Sequence, residues 1–475
     1  MSIKDESLSR SELLVVVEQL RIQIAELERD IAALRKNSSN SSKPPSSDIV
    51  KPPQNADKPK RKGRGKPKKR KRGGQPGHTM YDRPPFEAEQ ISATEVHMLH
   101  NCPGCGSAVE LTDNAPHILQ KVELTQQVPW TVTEHQAYAY DCPQCQCVHY
   151  ASIPAEVERG GMLGPKLMAL IAYLKGMQHA SYSTIRKYFR DVLKLPISRG
   201  RLAKAIDQVS QSLKDAYDEL GDELGQQATL RVDETGHKNN GQRYWTWCFR
   251  AQLFTLFHID PSRGSQVLMD VLGEEFEGVL SCDYFSAYRK YMRECDVLVQ
   301  FCLAHLIRDL KYLTTLSDPK TAAYGRRLLG KVRDLFEVIH HGQSLAPTTL
   351  AGRLGEISDR IIRSATTRVP DSSDAQAIAK RFEKHGKAYF QFITTPGLEP
   401  TNNLAEQALR FVVIDRRITQ GTRSEKGQRW SERIWTVLAT CAQQGRSAMQ
   451  FLIDAVNAWV QGHPPPSLLP DPISA

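Results

Sequence analysis

The chain has 475 residues, 40% of them hydrophobic and 24% charged, with a formal net charge of +10. Eleven of the fifteen residues from Lys58 to Arg72 are Lys or Arg, so taking that tract from the +10 leaves the rest near −1 and excludes a uniformly basic folded surface. The length asks for two to four domains, and the absence of a long uncharged apolar run or a secretory leader excludes a membrane partner and predicts a cytoplasmic protein.

Residues 9–36 read as a helix with a heptad seam. Leu13, Val17, Leu20, Ile24, Leu27, Ile31 and Leu34 alternate four and three apart. Ser9 and Glu12 fit a capping box. A lone helix of this length is marginal in water, so the seam predicts a coiled coil and a homo-oligomer. Residues 37–78 follow as a linker of Ser and Pro and then the basic tract. That tract is broken by Pro and Gly, which predicts disorder rather than helix. Lys60, Arg61, Lys62, Arg64, Lys68, Lys69, Arg70, Lys71 and Arg72 would neutralise phosphates and release counterions. DNA is the expected partner, bound there with affinity but without sequence information.

Residues 79–158 carry Cys102-Pro-Gly-Cys105 and Cys142-Pro-Gln-Cys145, with strand-like runs between them. Two Cys-X-X-Cys turns can put four thiolates on one ion, so a zinc-ribbon-like module with structural Zn²⁺ is expected. Cys147 and His149 read as bystanders. Residues 162–226 read as helical. A helix over Thr184–Leu193 and another over Gly200–Leu220, with Ser198 as N-cap, read equally as a helix-turn-helix or as a helical hairpin.

From Ala228 the pattern changes. Thr229, Leu230 and Val232 lead to Asp233 and Glu234, and Gly236 is expected to stop the strand. Strands are predicted over Arg243–Phe249, Gln252–Ile259, Val279–Cys282 and Val297–Cys302, with helices over Gly264–Leu272 and Tyr284–Arg293. That is the order of a ribonuclease-H-like mixed sheet, in which the first and fourth strands are neighbours. Asp233 and Asp283 would then meet at their ends. Two carboxylates are a poor cage for Mg²⁺; a third is needed to hold two ions roughly 4 Å apart for in-line phosphoryl transfer. Glu406, in the first turns of a helix after Pro400, is the candidate, with Arg410 one turn on. Side chains alternate along a strand, so only one of Asp233 and Glu234 can face that site. Cys302 and His305 read as near-site structural or DNA-contacting groups.

The Asn-Ser-Ser-Asn-Ser-Ser-Lys-Pro-Pro-Ser-Ser-Asp linker, Gly-Gln-Pro-Gly-His, the Cys-Pro-X-Cys pairs, Val232-Asp-Glu-Thr, Asp283-Tyr-X-X-X-Tyr288, Cys302-X-X-His305 and Asn402-Asn-X-X-Glu406 occur in this order. In these motifs the chain resembles the IS66-family transposases. The resemblance implies an Asp-Asp-Glu transposase of a bacterial insertion sequence, nucleoid-associated, with Asp233, Asp283 and Glu406 as catalytic metal ligands for two Mg²⁺. It also implies a helical insertion before the Glu helix, cleavage of element ends, strand transfer into target DNA, and accessory proteins of the same element. The expected organisation is multidomain α/β: coiled coil 9–36, linker and basic tract 37–78, zinc-ribbon-like domain 79–158, helical domain 162–226, catalytic domain 227–303 and 399–430, helical insertion 304–398 and helical C-terminal segment 431–475. Two other readings compete: a non-catalytic DNA-binding protein, which has no need of three carboxylates, and a structure-specific nuclease.

Overall fold

The computed structural model describes residues 147–469 without a break and, before them, 14–24, 27, 87–91, 93–96, 104–108, 118, 130–141 and 144. Residues 14–24 form helix α1, on which Leu14, Val17, Leu20 and Ile24 stand exposed. The rest of the expected seam except Leu27, the basic tract, and Cys102, Cys142 and Cys145 lie outside the described residues. Cys105 is exposed and its sulfur lies 2.9 Å from Ser107 Oγ. The chain divides into two compact units, one of which is Asp57–Val132. The other comprises Met1–Ala56 and Thr133–Ala475.

That unit is mixed α/β. After a short antiparallel pair, β1 (Ala139–Asp141) and β2 (Val148–Tyr150), come α2 (Ala155–Gly160), α3 (Pro165–Gly176), α4 (Tyr182–Asp191), α5 (Arg199–Ser212) and α6 (Lys214–Glu223). Ser181 and Ser198 cap α4 and α5, accepting from the N–H groups of Thr184 and Arg201 at 3.1 Å. Two basic groups at the start of α5 bond to neighbouring parts of the protein. Arg199 donates to Ser183 Oγ at 2.6 Å and Arg201 to the Gly160 carbonyl at 3.2 Å.

Five strands then make one sheet: β3 (Thr229–Asn239), β4 (Gln242–Arg250), β5 (Thr255–Asp260), β6 (Val279–Cys282) and β7 (Leu298–Phe301), in the order β5-β4-β3-β6-β7. The pairs β5-β4 and β4-β3 are antiparallel, and β3-β6 and β6-β7 are parallel. Helices α7 (Gln266–Leu272) and α8 (Ser286–Glu294) make the crossovers. The expected adjacency of the first and fourth strands is therefore met. Two expectations fail: the helix expected over Gly200–Leu220 is two, α5 and α6, and β3 does not stop at Gly236 but runs on to Asn239. For β3 the reason lies just downstream. Asn240 (φ 49°) and Gly241 (φ 80°) are both left-handed, as a type I′ hairpin turn requires, so β3 and β4 stay paired to Asn239↔Gln242.

The segment after β7 is helical, with α9 (Leu303–Leu313), α10 (Pro319–His341), α11 (Pro347–Thr366) and α12 (Ser373–His385), before α13 (Asn403–Thr419), α14 (Glu425–Gln444) and α15 (Ala448–Gln461). Helix α14 closes the β5 edge. Thr440, Thr436 and Glu432, four residues apart on one helix face, accept from the N–H groups of Thr255 (3.1 Å), Phe257 (3.0 Å) and Ile259 (2.7 Å). A helix advances about 6 Å per four residues and a strand about 6.8 Å per two, so the spacings match well enough for three bonds in a row. An open edge is thereby denied to other strands. Helix α15 packs back on α3 and α5.

Candidate active site

Asp233 sits on β3 two residues past Arg231, the last residue of β3 paired with β6; Arg231 faces Ser281. Two residues beyond Ser281 is Asp283. The parallel register thus carries both aspartates to the end of the β3–β6 ladder, side by side. Beyond Arg231, β3 pairs with β4 and no longer with β6, and near its far end it bridges to Thr422 at Asn239.

The residues after Asp283 hold it in place. Its Oδ1 accepts the Phe285 N–H at 2.8 Å. The Tyr284 ring packs edge-on to Phe301 at 4.8 Å, and the guanidiniums of Arg289 and Arg381 lie 4.6 and 4.3 Å from its centre. Arg381 comes from α12 and also bonds Asp309 of α9 at 2.9 Å. The helical segment between β7 and α13 therefore reaches the site.

Helix α13 brings Glu406, and it is stapled to β3 at both ends. Before its first turn, Asn402 Nδ2 donates to the Val232 carbonyl at 2.8 Å and its backbone N–H to Cys302 Sγ at 3.2 Å. The Leu303 N–H donates to the Pro400 carbonyl at 2.9 Å. After its last turn, Thr422 exchanges backbone bonds of 2.9 Å with Lys238 and Asn240, and its hydroxyl meets His237 Nε2 at 3.0 Å. Gly421 allows this approach. Its φ is +84° and an added Cβ would sit 2.2 Å from the Lys238 carbonyl oxygen. A 17-residue helix is about 25 Å long, close to the roughly 24 Å of strand from Val232 to Asn239, so α13 can lie along β3 and be tied at each end.

The acids are half-buried and push on one another. Burial raises the Asp233 carboxyl well above its usual range, and the charges of Glu234, Asp283 and Glu406 raise it further. Asp283 is raised chiefly by burial and then by Glu234, against the Phe285 N–H and Arg263. Neither aspartate has an ion pair within 4.0 Å among the described residues. Glu234 differs: it is paired with Arg263 Nη2 at 2.6 Å and accepts from Tyr288. The Arg263 guanidinium lies over Phe285 at 3.9 Å and Trp245 at 4.5 Å. The alternative at the first acidic position is thus already engaged.

Glu406 faces α9. His305 Nδ1 is 3.7 Å from its Oε1 and Arg308 Nη2 is 3.5 Å from its Oε2. Among the described residues, the one set of three ligand-type groups whose atoms all lie within 4.8 Å of one another is Cys302, His305 and Glu406. Burial pushes the Cys302 thiol up to about 11, which keeps it protonated. Arg410 is exposed one turn beyond Glu406. Sequence reasoning missed Arg263, Arg308 and Arg381. Arg308 had a usable signal, being one helical turn from His305; the other two are far from the acids in sequence and had none.

The donor set suits a hard divalent cation. Two neighbouring half-buried carboxylates have no ion-pair partner, and Glu406 Oε1 is buried without a hydrogen-bond partner. Residues 160–429 match the family model described as the transposase IS66 family, and residues 3–84 match a family of unknown function. An uncharacterized protein of Sinorhizobium fredii, y4hP, is 22% identical over 408 residues, covering 76% of this chain and 71% of that protein.

Proposed function

Since the chain belongs to the IS66 family of transposases, we propose that it is the DNA transposase of an insertion sequence, with Asp233, Asp283 and Glu406 as its Asp-Asp-Glu catalytic set. The observation that carries this reading is the pair of half-buried aspartates, Asp233 and Asp283, without ion-pair partners at the end of the parallel β3–β6 ladder, beside the helix that bears Glu406. Holding acids together without ion-pair partners costs stability, and a protein that only bound DNA would gain nothing for that cost. The strand order, three antiparallel strands followed by two parallel ones, supports a ribonuclease-H-like reading of the sheet.

Asp233, Asp283 and Glu406 would hold Mg²⁺. When bound, a pair of such ions supplies Lewis acidity to the attacking and departing oxygens of an in-line displacement at phosphorus. The protein's own part is positioning. The Tyr284 and Phe285 packing fixes Asp283, and the two staples on α13 fix the approach of Glu406. Arg410 is placed to meet a phosphate. No side chain near the acids serves as nucleophile: the Tyr288 hydroxyl is committed to Glu234, and the Cys302 thiol is held protonated. Water, and then a 3′-hydroxyl, fill that role, so one site performs both cleavage and joining.

The outer parts of the chain complete the proposal. Cys102, Cys105, Cys142 and Cys145 hold a structural Zn²⁺. The basic tract 60–72 binds DNA by counterion release, and the apolar seam of 9–36 joins copies of the chain into a homo-oligomer. Accessory proteins of the same element complete the machinery in the cell, at the nucleoid. The test is a paired assay of end cleavage and strand transfer in Mg²⁺, comparing wild type with Asp233→Ala, Asp283→Ala and Glu406→Ala. All three substitutions abolish both products; retention of full activity by any of them removes that residue from the site.

A further inference from the structure

Glu406 is the one acid of the three that is in contact with basic groups. His305 and Arg308 are one turn apart on α9, and both face it. Their mutual contact decides the chemistry. Arg308 Nη1 lies 3.3 Å from His305 Nε2. A guanidinium can only donate, so Nε2 must offer its lone pair. The ring then carries its proton on Nδ1, the nitrogen that faces Glu406 Oε1 at 3.7 Å. Both Nδ1 and Oε1 are buried, and neither has another partner. At 3.7 and 3.5 Å the two groups lie against the two carboxylate oxygens without closing on them.

Cys302, His305 and Glu406 also have the spacing of a metal-ligand set. The Arg308 contact argues against that use. A ring that coordinated through Nδ1 would carry its proton on Nε2, where it would oppose the guanidinium. Cys302 Sγ, moreover, already accepts the Asn402 N–H.

We infer that His305 and Arg308 are positioning residues for Glu406: Arg308 fixes the imidazole tautomer, and the Nδ1–H sets the carboxylate orientation from which it completes the Mg²⁺ site. The inference rests on the reading of Glu406 as a metal ligand. Groups that orient a ligand in this way typically change metal affinity or activity 10- to 100-fold when removed, so an effect of about tenfold or more is expected here.

The experiment titrates Mg²⁺ into the full-length protein by calorimetry and measures strand transfer across the same Mg²⁺ range. His305→Ala and Arg308→Ala raise the half-saturating Mg²⁺ concentration by about tenfold or more in both measurements. His305→Asn, whose amide N–H can stand where Nδ1–H stood, recovers most of that loss, while His305→Gln does not. Melting curves without Mg²⁺ show whether each variant folds. Unchanged Mg²⁺ dependence in His305→Ala and Arg308→Ala, alongside loss of binding in Glu406→Gln, overturns the inference and leaves the proposed site standing. Unchanged binding and joining in Glu406→Gln overturns the proposed site itself, and this inference with it. A fall of one in zinc stoichiometry on His305→Ala or Cys302→Ser makes these residues metal ligands and also overturns it.

Discussion

Two places along one sheet draw carboxylates away from solvent, and they treat them in different ways. At the β5 edge, Glu432 is fully buried and fully engaged. It accepts the Ile259 N–H at 2.7 Å and is paired with Arg429 at 2.8 Å. Between β3 and β6, Asp233 and Asp283 are half-buried beside one another; each accepts one backbone N–H, from Glu234 and Phe285, and neither has an ion pair among the described residues. Glu234 draws the same contrast within one strand: the residue next to Asp233 has Arg263 and Tyr288. An acid with partners is tied into the fold. An acid without an ion-pair partner is a standing cost, which under the proposed function a bound cation would offset.

Breaking the unpaired side should destroy activity and spare the fold. Asp233→Asn and Asp283→Asn are expected to bring strand transfer to background. They should also raise the metal-free stability by roughly 1–2 kcal/mol, because each removes like-charge repulsion. Reaction products and urea melts check the two halves together.

Breaking the paired side should do the reverse. Glu234→Ala leaves Arg263 and Tyr288 without their acceptor. Losing one partner of a buried pair costs about 3–5 kcal/mol, and Arg263 is 38% exposed, so the lower end applies, measured by chemical denaturation. Gly421→Ala attacks the far staple of α13. Its strained φ and its clash with the Lys238 carbonyl are expected to cost on the order of 2–3 kcal/mol. Joining activity should fall further than stability alone explains, because Glu406 rides on that helix.

The β5 edge carries a pH signature. Burial raises the Glu432 carboxyl to about 7 from an ordinary 4.5, against Arg429 and the Ile259 N–H. The folded state therefore holds that proton more tightly than the unfolded chain. The resulting stability is complete below about 4.5 and is lost as pH rises through about 7. Glu432→Gln should gain up to about 3 kcal/mol on wild type at pH 8 and almost nothing at pH 4, read from melts across that range. The smallest expected effect on this edge is Thr436→Val, which leaves the Phe257 N–H without its acceptor and costs about 1–3 kcal/mol in denaturant titrations.

Much of this arrangement was legible in the sequence where local pattern decides. Val279–Cys282 was read as a strand to the residue because a short apolar run ended on Asp283, and Ser198 was read as a cap. The extension of β3 past Gly236 was missed although Asn240-Gly241 signals a hairpin. A glycine within a strand reads as its end, while the turn chemistry that governs strand length lies four residues on, at Asn240-Gly241. What could not be read was long-range. Nothing in the order of residues says that Asn402 spans to Val232, that Arg263 neutralises Glu234, or that Glu406 rests against His305 and Arg308. These pairings lie 170, 29 and about 100 positions apart in the chain, and only the packed sheet and helices bring them together.

The most direct measurement compares thermal stability with and without Mg²⁺ in wild type, Asp233→Asn, Asp283→Asn and Glu234→Gln. A cation bound only by the folded state stabilises it by about 2.7 kcal/mol at a hundred times its dissociation constant. The account predicts that added Mg²⁺ raises the melting temperature of wild type and of Glu234→Gln and leaves both aspartate variants unmoved. A flat response in wild type, or an equal rise in the aspartate variants, would contradict it.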